Sequence, residues 1–174
     1  MPRRSALNRS GFAPRVSLEV RRSESAGAGA QADRAFVREL GQRCVMSSVS
    51  SMRPGSEADA VEAFQRLCDI VEGQSHVTFV AHHNDGRVGF LLLLDELPDE
   101  VTLSPQAFVA YMAVEPGLAR QGIGAALLAA AEDEARRCRL PYISLMVTEE
   151  NEPARGLYER SGYHTERRLL CKRL

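Results

Sequence analysis

Lysine is almost missing from this chain: of its 22 basic residues only Lys172 is one, a bias that an arginine-rich genome explains. Global charge is lacking too. With 23 acidic residues and a formal net charge of -1, there is no overall field to recruit nucleic acid or an anionic membrane surface. No apolar run approaches the length of a membrane span, and the longest leucine run, Leu91–Leu94, suits a strand. The N-terminus is basic but no hydrophobic segment follows it, so no secretory signal is expected. There is no C-x-x-C pair. Cys44, Cys68, Cys138 and Cys171 lie far apart, as reduced packing thiols of a cytoplasmic protein would. There is no H-E-x-x-H either, and the adjacent His82 and His83 would point to opposite faces of a strand, so no metal is expected.

What is present is enough for one domain. A chain of 174 residues can bury a real core and is short for two. Residues 1–15 hold Arg3, Arg4, Arg9 and Arg15 without periodicity and read as a disordered basic tail, leaving 16–174 as the domain. Val16 to Arg22 alternates as a half-buried strand. Asp33 is a possible cap for a helix through about Cys44, Val45 to Gly55 reads as a loop, and Ser56 with Asp59 forms a capping box before a helix striped with Val61, Phe64, Leu67, Cys68 and Val71. His76 to His83 and Arg87 to Leu94 read as strands joined at Asn84-Asp85-Gly86, a strong hairpin turn. Pro141 to Thr148 gives a later strand, and Tyr163 to Arg173 holds a last one.

The stretch from Phe108 to Cys138 organises the rest. Phe108 to Val114 is apolar and β-prone, Pro116-Gly117 breaks it, and Gly122 to Cys138 carries Ala and Leu at helical spacing. Such a junction is an anion site, because the first amides of a helix lack intrahelical partners and sit at the positive end of its dipole, while Gly122 and Gly124 carry no Cβ to hold a phosphate away. Neither a G-x-G-x-x-G fingerprint nor a Walker loop is present. The ligand is then another phosphate carrier.

A second stretch selects one. Asn151 is a good N-cap, Pro153 fits a first turn and Gly162 is a left-handed stop, so residues 152–161 read as a short capped helix. Together Gly122-x-Gly124 and Asn151-x-x-Ala154-x-x-Leu157-Tyr158-x-x-x-Gly162-Tyr163 resemble the signatures of the GCN5-related N-acetyltransferase (GNAT) family, with Ala119 standing where that family usually carries Arg or Gln. The resemblance implies an α/β fold with a mixed, mostly antiparallel sheet of six or seven strands flanked by helices, in the order β-α-α-β-β-β-α-β-α-β.

It also implies acetyl-CoA as acetyl donor and an amine-bearing acceptor, a small molecule or a peptide. Pantetheine would pair with the backbone edge at Met112, Ala113 and Val114, and the pyrophosphate would rest on the amides of Arg120, Gln121, Gly122, Ile123, Gly124 and Ala125. Tyr158 would serve the leaving thiolate, and Asn151 would cap its helix or touch the cofactor. For a base, the positions where relatives often place a glutamate fall near Phe108 and Met146, which cannot accept a proton. Glu115, Glu149 and Glu150 are the nearby carboxylates, with Glu115 the catalytic candidate. Two other readings of the same fold are a non-catalytic acyl-CoA-binding regulator and a toxin-like enzyme acetylating aminoacyl-tRNA. The short stretch after Gly162 suits a single strand, so a sheet edge that needs covering, and with it a homodimer, is expected.

Overall fold

The computed structural model describes residues 18–84 and 86–174, so the basic tail at 1–15, Val16 and Asp85 lie outside the described residues. Five strands form one sheet in the order β1-β2-β3-β4-β5. They are β1 (Leu18–Arg22), β2 (His76–His83), β3 (Gly86–Leu94), β4 (Gln106–Val114) and β5 (Tyr142–Leu145). All neighbours are antiparallel except β4 and β5, which are parallel. The helices are α1 (Ala28–Cys44), α2 (Glu57–Glu72), α3 (Ile123–Arg137) and α4 (Glu152–Arg160), with a 3-10 turn at Val45–Ser48 between α1 and α2.

The middle of the sheet is covered on both faces, and the sequence of β3 shows why. Val88 to Leu94 is buried throughout, as a strand sandwiched between two helix layers must be. On one face Leu91, Leu93 and Val109 meet Leu127, Leu128 and Ala131 of α3, while on the other Phe90 and Leu92 meet Leu40 of α1 and Phe64 of α2. A fully buried leucine such as Leu127, with no accessible surface, is worth roughly 1.5–3 kcal/mol over an exposed one. The Ser56–Asp59 capping box forms as expected, each residue's side chain accepting from the other's backbone N–H at 3.1 Å.

Two expectations are corrected. Asp33 is no cap: α1 begins five residues earlier, after Gly27 at φ 101°, and Asp33 sits inside it, buried. There its carboxylate accepts from Ser23 Oγ and Arg87 Nε, both at 2.7 Å, and so ties the helix to the sheet. The sheet also has five strands among the described residues, not six or seven. The residues after Gly162 run without strand pairing. Among them Arg167 reaches Asp99 at 2.6 Å and Glu100 at 2.8 Å in the loop before β4, contacts that hold this part of the segment there.

Candidate functional site

A cleft opens where two parallel strands part. β4 and β5 pair only from Gln106 with Tyr142 to Val109 with Leu145. Beyond Val109 the outer edge of β4 is left without a neighbour, while its inner edge continues against β3 as far as Val114. Met112 and Val114 turn their side chains to the α3 face and Ala113 to the α1–α2 face; along the strand the backbone groups alternate between edges, so those of Ala113 and Glu115 face β3 while those of Met112 and Val114 face the gap. An extended, amide-rich ligand can add there as a strand does.

At the head of the cleft the chain turns into α3. Arg120 at φ 64° and Gly122 at φ 82° are both left-handed, and Gly122 caps the helix. Ala126 is the first residue whose amide bonds back within the helix, to Gly122 at 2.9 Å, so the amides of Ile123, Gly124 and Ala125 are free to meet an anion. Arg120, Gln121, Gly122 and Ala125 are exposed, whereas the Ile123 side chain is buried in the core and offers only its amide. The two glycines have different reasons. Around Gly122 a Cβ would meet open space, and the positive φ alone requires glycine. At Gly124 a Cβ would lie 2.8 Å from Leu157 Cδ2, so its absence lets α3 approach α4.

Tyr158 follows Leu157 on α4 and lines the cleft with Ala110, Met112 and Leu145. Its ring packs on that of Tyr163, centroids 6.0 Å apart. Burial, with a lesser contribution from Tyr111, raises the Tyr158 hydroxyl above the ordinary phenol value, so it stays a protonated donor. Tyr111, from the opposite wall, bonds to the Ser48 side chain and is likewise raised by burial. Nothing in the sequence singled out Tyr111; the one sign was a hydroxyl within an apolar strand.

The far end of the cleft is laced shut. Asn151 accepts from the Ala154 amide at 3.3 Å, as an N-cap should, and donates its own amide to the Ser47 carbonyl at 3.2 Å. Thr148 Oγ1 donates to the Ser48 carbonyl at 2.7 Å, and Ser51 Oγ donates to Glu150 at 2.7 Å. The loop after α1, which carried no motif, is therefore a wall of the site. The carboxylates are all engaged. Glu115 accepts two hydrogen bonds from Arg43 at 2.6 and 2.9 Å, which hold it below the usual carboxylate range and make it a poor base; it faces α1, not the cleft. Glu150 is lowered by its serine partners, and Glu149 meets Arg155 at 3.0 Å. Away from the cleft, Asp95, Glu134 and Cys138 bring ligand-type atoms within 4.8 Å. Arg22 at 2.8 Å and Arg137 at 2.6 Å already stand on Glu134 where a cation would.

The model of the acetyltransferase (GNAT) family matches residues 45–163. Among solved structures, a Pyrococcus furiosus protein assigned as an acetyl transferase is 23% identical with a TM-score of 0.70, covering 91% of this chain and 100% of its own. The aminoglycoside N-acetyltransferase AAC(6')-Iy in complex with CoA is 14% identical with a TM-score of 0.65, covering 94% of this chain and 99% of its own. A ribosomal-protein-alanine N-acetyltransferase from Brucella melitensis biovar Abortus 2308 is 18% identical with a TM-score of 0.63, covering 91% and 99%. At these identities the likeness is one of fold. No curated protein matches the chain.

Proposed function

Because the chain belongs to the acetyltransferase (GNAT) family, we propose that it transfers the acetyl group of acetyl-CoA to a primary amine of a small molecule or a peptide. The observation that carries this reading is the meeting, in one cleft, of three free amides at the start of α3, the unpaired edge of β4 and the protonated hydroxyl of Tyr158. The amides of Ile123, Gly124 and Ala125 would hold the pyrophosphate, and the backbone of Met112 to Val114 the pantetheine amides; the donor supplies an activated thioester. Gln121 and Arg120 border the phosphates, and Asn151 acts through the wall it builds.

Tyr158 would donate its hydrogen bond to the sulfur as it leaves. An ordinary thiol, at about 8.5, is a stronger acid than a phenol at about 10, and burial widens that gap, so the hydroxyl stabilises the thiolate without giving up its proton. With Glu115 neutralised by Arg43, the amine's proton leaves through water or the amine arrives neutral. Tyr158→Phe should lower turnover by roughly 10²-fold, the low end for general acid catalysis, with donor affinity unchanged. Thiol release from acetyl-CoA over a panel of amines measures this. Donor binding with no thiol release from any amine would instead favour the non-catalytic regulator, and a Phe variant with full chemistry-limited turnover would remove Tyr158 from the reaction.

A further inference from the structure

The cleft has no charged wall. Among the described residues every polar side chain that lines it is a hydroxyl or an amide: Ser47, Ser48, Tyr111, Thr148, Asn151 and Tyr158. The rest of the lining is apolar, and Met146 and Val147, at 80% and 38% accessibility, keep that apolar surface open. The carboxylates nearest in sequence are engaged outside it. Glu115 is gripped by Arg43, Glu149 meets Arg155 at 3.0 Å, and Glu150 accepts from the Ser51 amide at 3.2 Å and the Ser51 hydroxyl at 2.7 Å. Residues 1–17 contain neither Asp nor Glu, so the sequence ahead of β1 has no carboxylate to bring. Burial raises both phenols of the cleft, which therefore stay protonated and serve as no base.

Proton balance then decides which amine can react. In the transfer the nitrogen lone pair attacks the thioester carbonyl carbon, the N–C bond forms, the C–S bond breaks, and its electron pair leaves on sulfur. A neutral primary amine brings two N–H protons. The amide keeps one and the departing thiolate takes the other, so none is left over. An ammonium brings one more, which must be removed before attack. Hydroxyls and amides can accept a hydrogen bond from it but cannot hold that proton near neutrality. A cationic head would also shed water in the cleft without meeting an opposite charge.

We infer that the acceptor is an arylamine, an uncharged and weakly basic amino group carried on a flat apolar ring. This rests on the transferase reading above and narrows it. The ring would lie against Leu145, Met146 and Val147, whose thioether and branched carbons suit an aromatic face. Tyr111, bonded to the Ser48 side chain, would accept one N–H of the amino group. A lysine-type amine, at ~10.4, is neutral to only about one part in 10³ at neutral pH, and a peptide α-amino group, at ~7.7–8.0, is still mostly charged. An arylamine is protonated only in acid, so it arrives ready to react.

The test uses the full chain with acetyl-CoA and measures thiol release from about pH 6 to about pH 9, a range that spans these titrations. The acceptors are aniline and benzylamine, which share a ring and differ in basicity, and a peptide that begins with alanine. Aniline should have the largest kcat/KM at neutral pH, at least ~10-fold above the others, with a nearly level profile. The benzylamine profile should climb about tenfold per pH unit with the free-base fraction, without a plateau from a base on the enzyme. Met146→Glu places a carboxylate at an exposed position of the cleft wall, and it should move the preference toward benzylamine by at least ~10-fold. A kcat/KM for benzylamine or the peptide that equals or exceeds that of aniline at neutral pH overturns the inference and leaves the transferase reading standing. So does a preference that Met146→Glu leaves unmoved, since a missing base would not then be what selects the acceptor. Calorimetric binding of acetyl-CoA with no thiol release from any amine overturns the transferase reading itself, and this inference with it. Should Met146→Glu fail to fold, the wild-type pH profiles alone decide.

Discussion

Gly124→Ala separates two explanations of one glycine motif. The added methyl would stand 2.8 Å from Leu157 Cδ2, whereas carbon atoms rest at about 3.5–4.0 Å, so Leu157 must retreat by roughly 0.7–1.2 Å. Overpacking of this kind costs ~1–3 kcal/mol, and the helix propensity gained over glycine returns up to ~1 kcal/mol. The net loss of about 1 kcal/mol should lower the melting temperature by ~2–4 °C for a chain of this size. Leu157 precedes Tyr158 on α4, so the shift also displaces the hydroxyl, and misplacement by ~1 Å can cost up to 10²-fold in rate. Turnover at saturating acetyl-CoA should therefore fall at least severalfold while donor affinity, measured by calorimetry, hardly moves. Adding Leu157→Ala should restore part of the turnover, giving a coupling of at least ~0.5 kcal/mol in a double-mutant cycle. At Gly122, where φ is 82° and the space is open, an alanine instead strains the turn itself and should weaken donor binding. A Gly124→Ala variant that loses donor affinity while keeping its melting temperature and turnover would falsify the packing account and return this glycine to the phosphate.

Acid should destabilise the fold through carboxylates held below their ordinary values. Glu134 is lowered chiefly by Arg137, and Asp99 by Thr102 and then Arg167. A depressed folded value means stability that is present above the unfolded value of about 4 and lost as pH falls through the folded one. The melting temperature should accordingly be flat near neutrality and drop below about pH 4, more shallowly in Glu134→Gln; an equal drop in both would clear this residue. Thiol reactivity should follow burial. The Cys68 thiol is pushed up to about 11, whereas Cys171 is exposed. Mass spectrometry after brief alkylation should find Cys171 modified and Cys68 untouched, and early labelling of Cys68 would contradict its place in the core.

Much of the architecture was legible because its signals are local. The Ser56 box, the Asn151 cap, the glycine that opens α3 and the hairpin turn between β2 and β3 each report on a few neighbouring residues, and each element stands where they put it. What escaped depends on partners far along the chain. Asp33 looks like a cap until Arg87 and Ser23 come to it. Glu115 looks like a free carboxylate at a strand end until Arg43, 72 positions away, closes on it. Tyr111 belongs to the site only because β4 and the turn after α1 converge there. The strand expected after Tyr163 has an adequate apolar pattern, but the segment makes no strand pairing, and Arg167 in it is held by Asp99 and Glu100, more than 60 positions away.

The two ends of the cleft are made of different material, and on the proposed function this bears on why the acceptor is harder to read than the donor. At the donor end the contacts available are backbone groups: three free amides at α3 and the unpaired edge of β4. Backbone groups survive almost any substitution that preserves the turn, so two glycine-bearing motifs suffice to announce them. The opposite end is built of side chains laced across the gap, with Asn151, Thr148 and Glu150 each joined to the loop after α1. Changing one serine or threonine there alters the wall without disturbing the sheet. The solved neighbours fit this division, since an aminoglycoside acetyltransferase and a ribosomal-protein-alanine acetyltransferase share the fold with this chain at 14% and 18% identity. On the proposed function, acceptor choice would be carried by residues 47–51 and 145–151, and it would change while the phosphate turn and Tyr158 stay as they are.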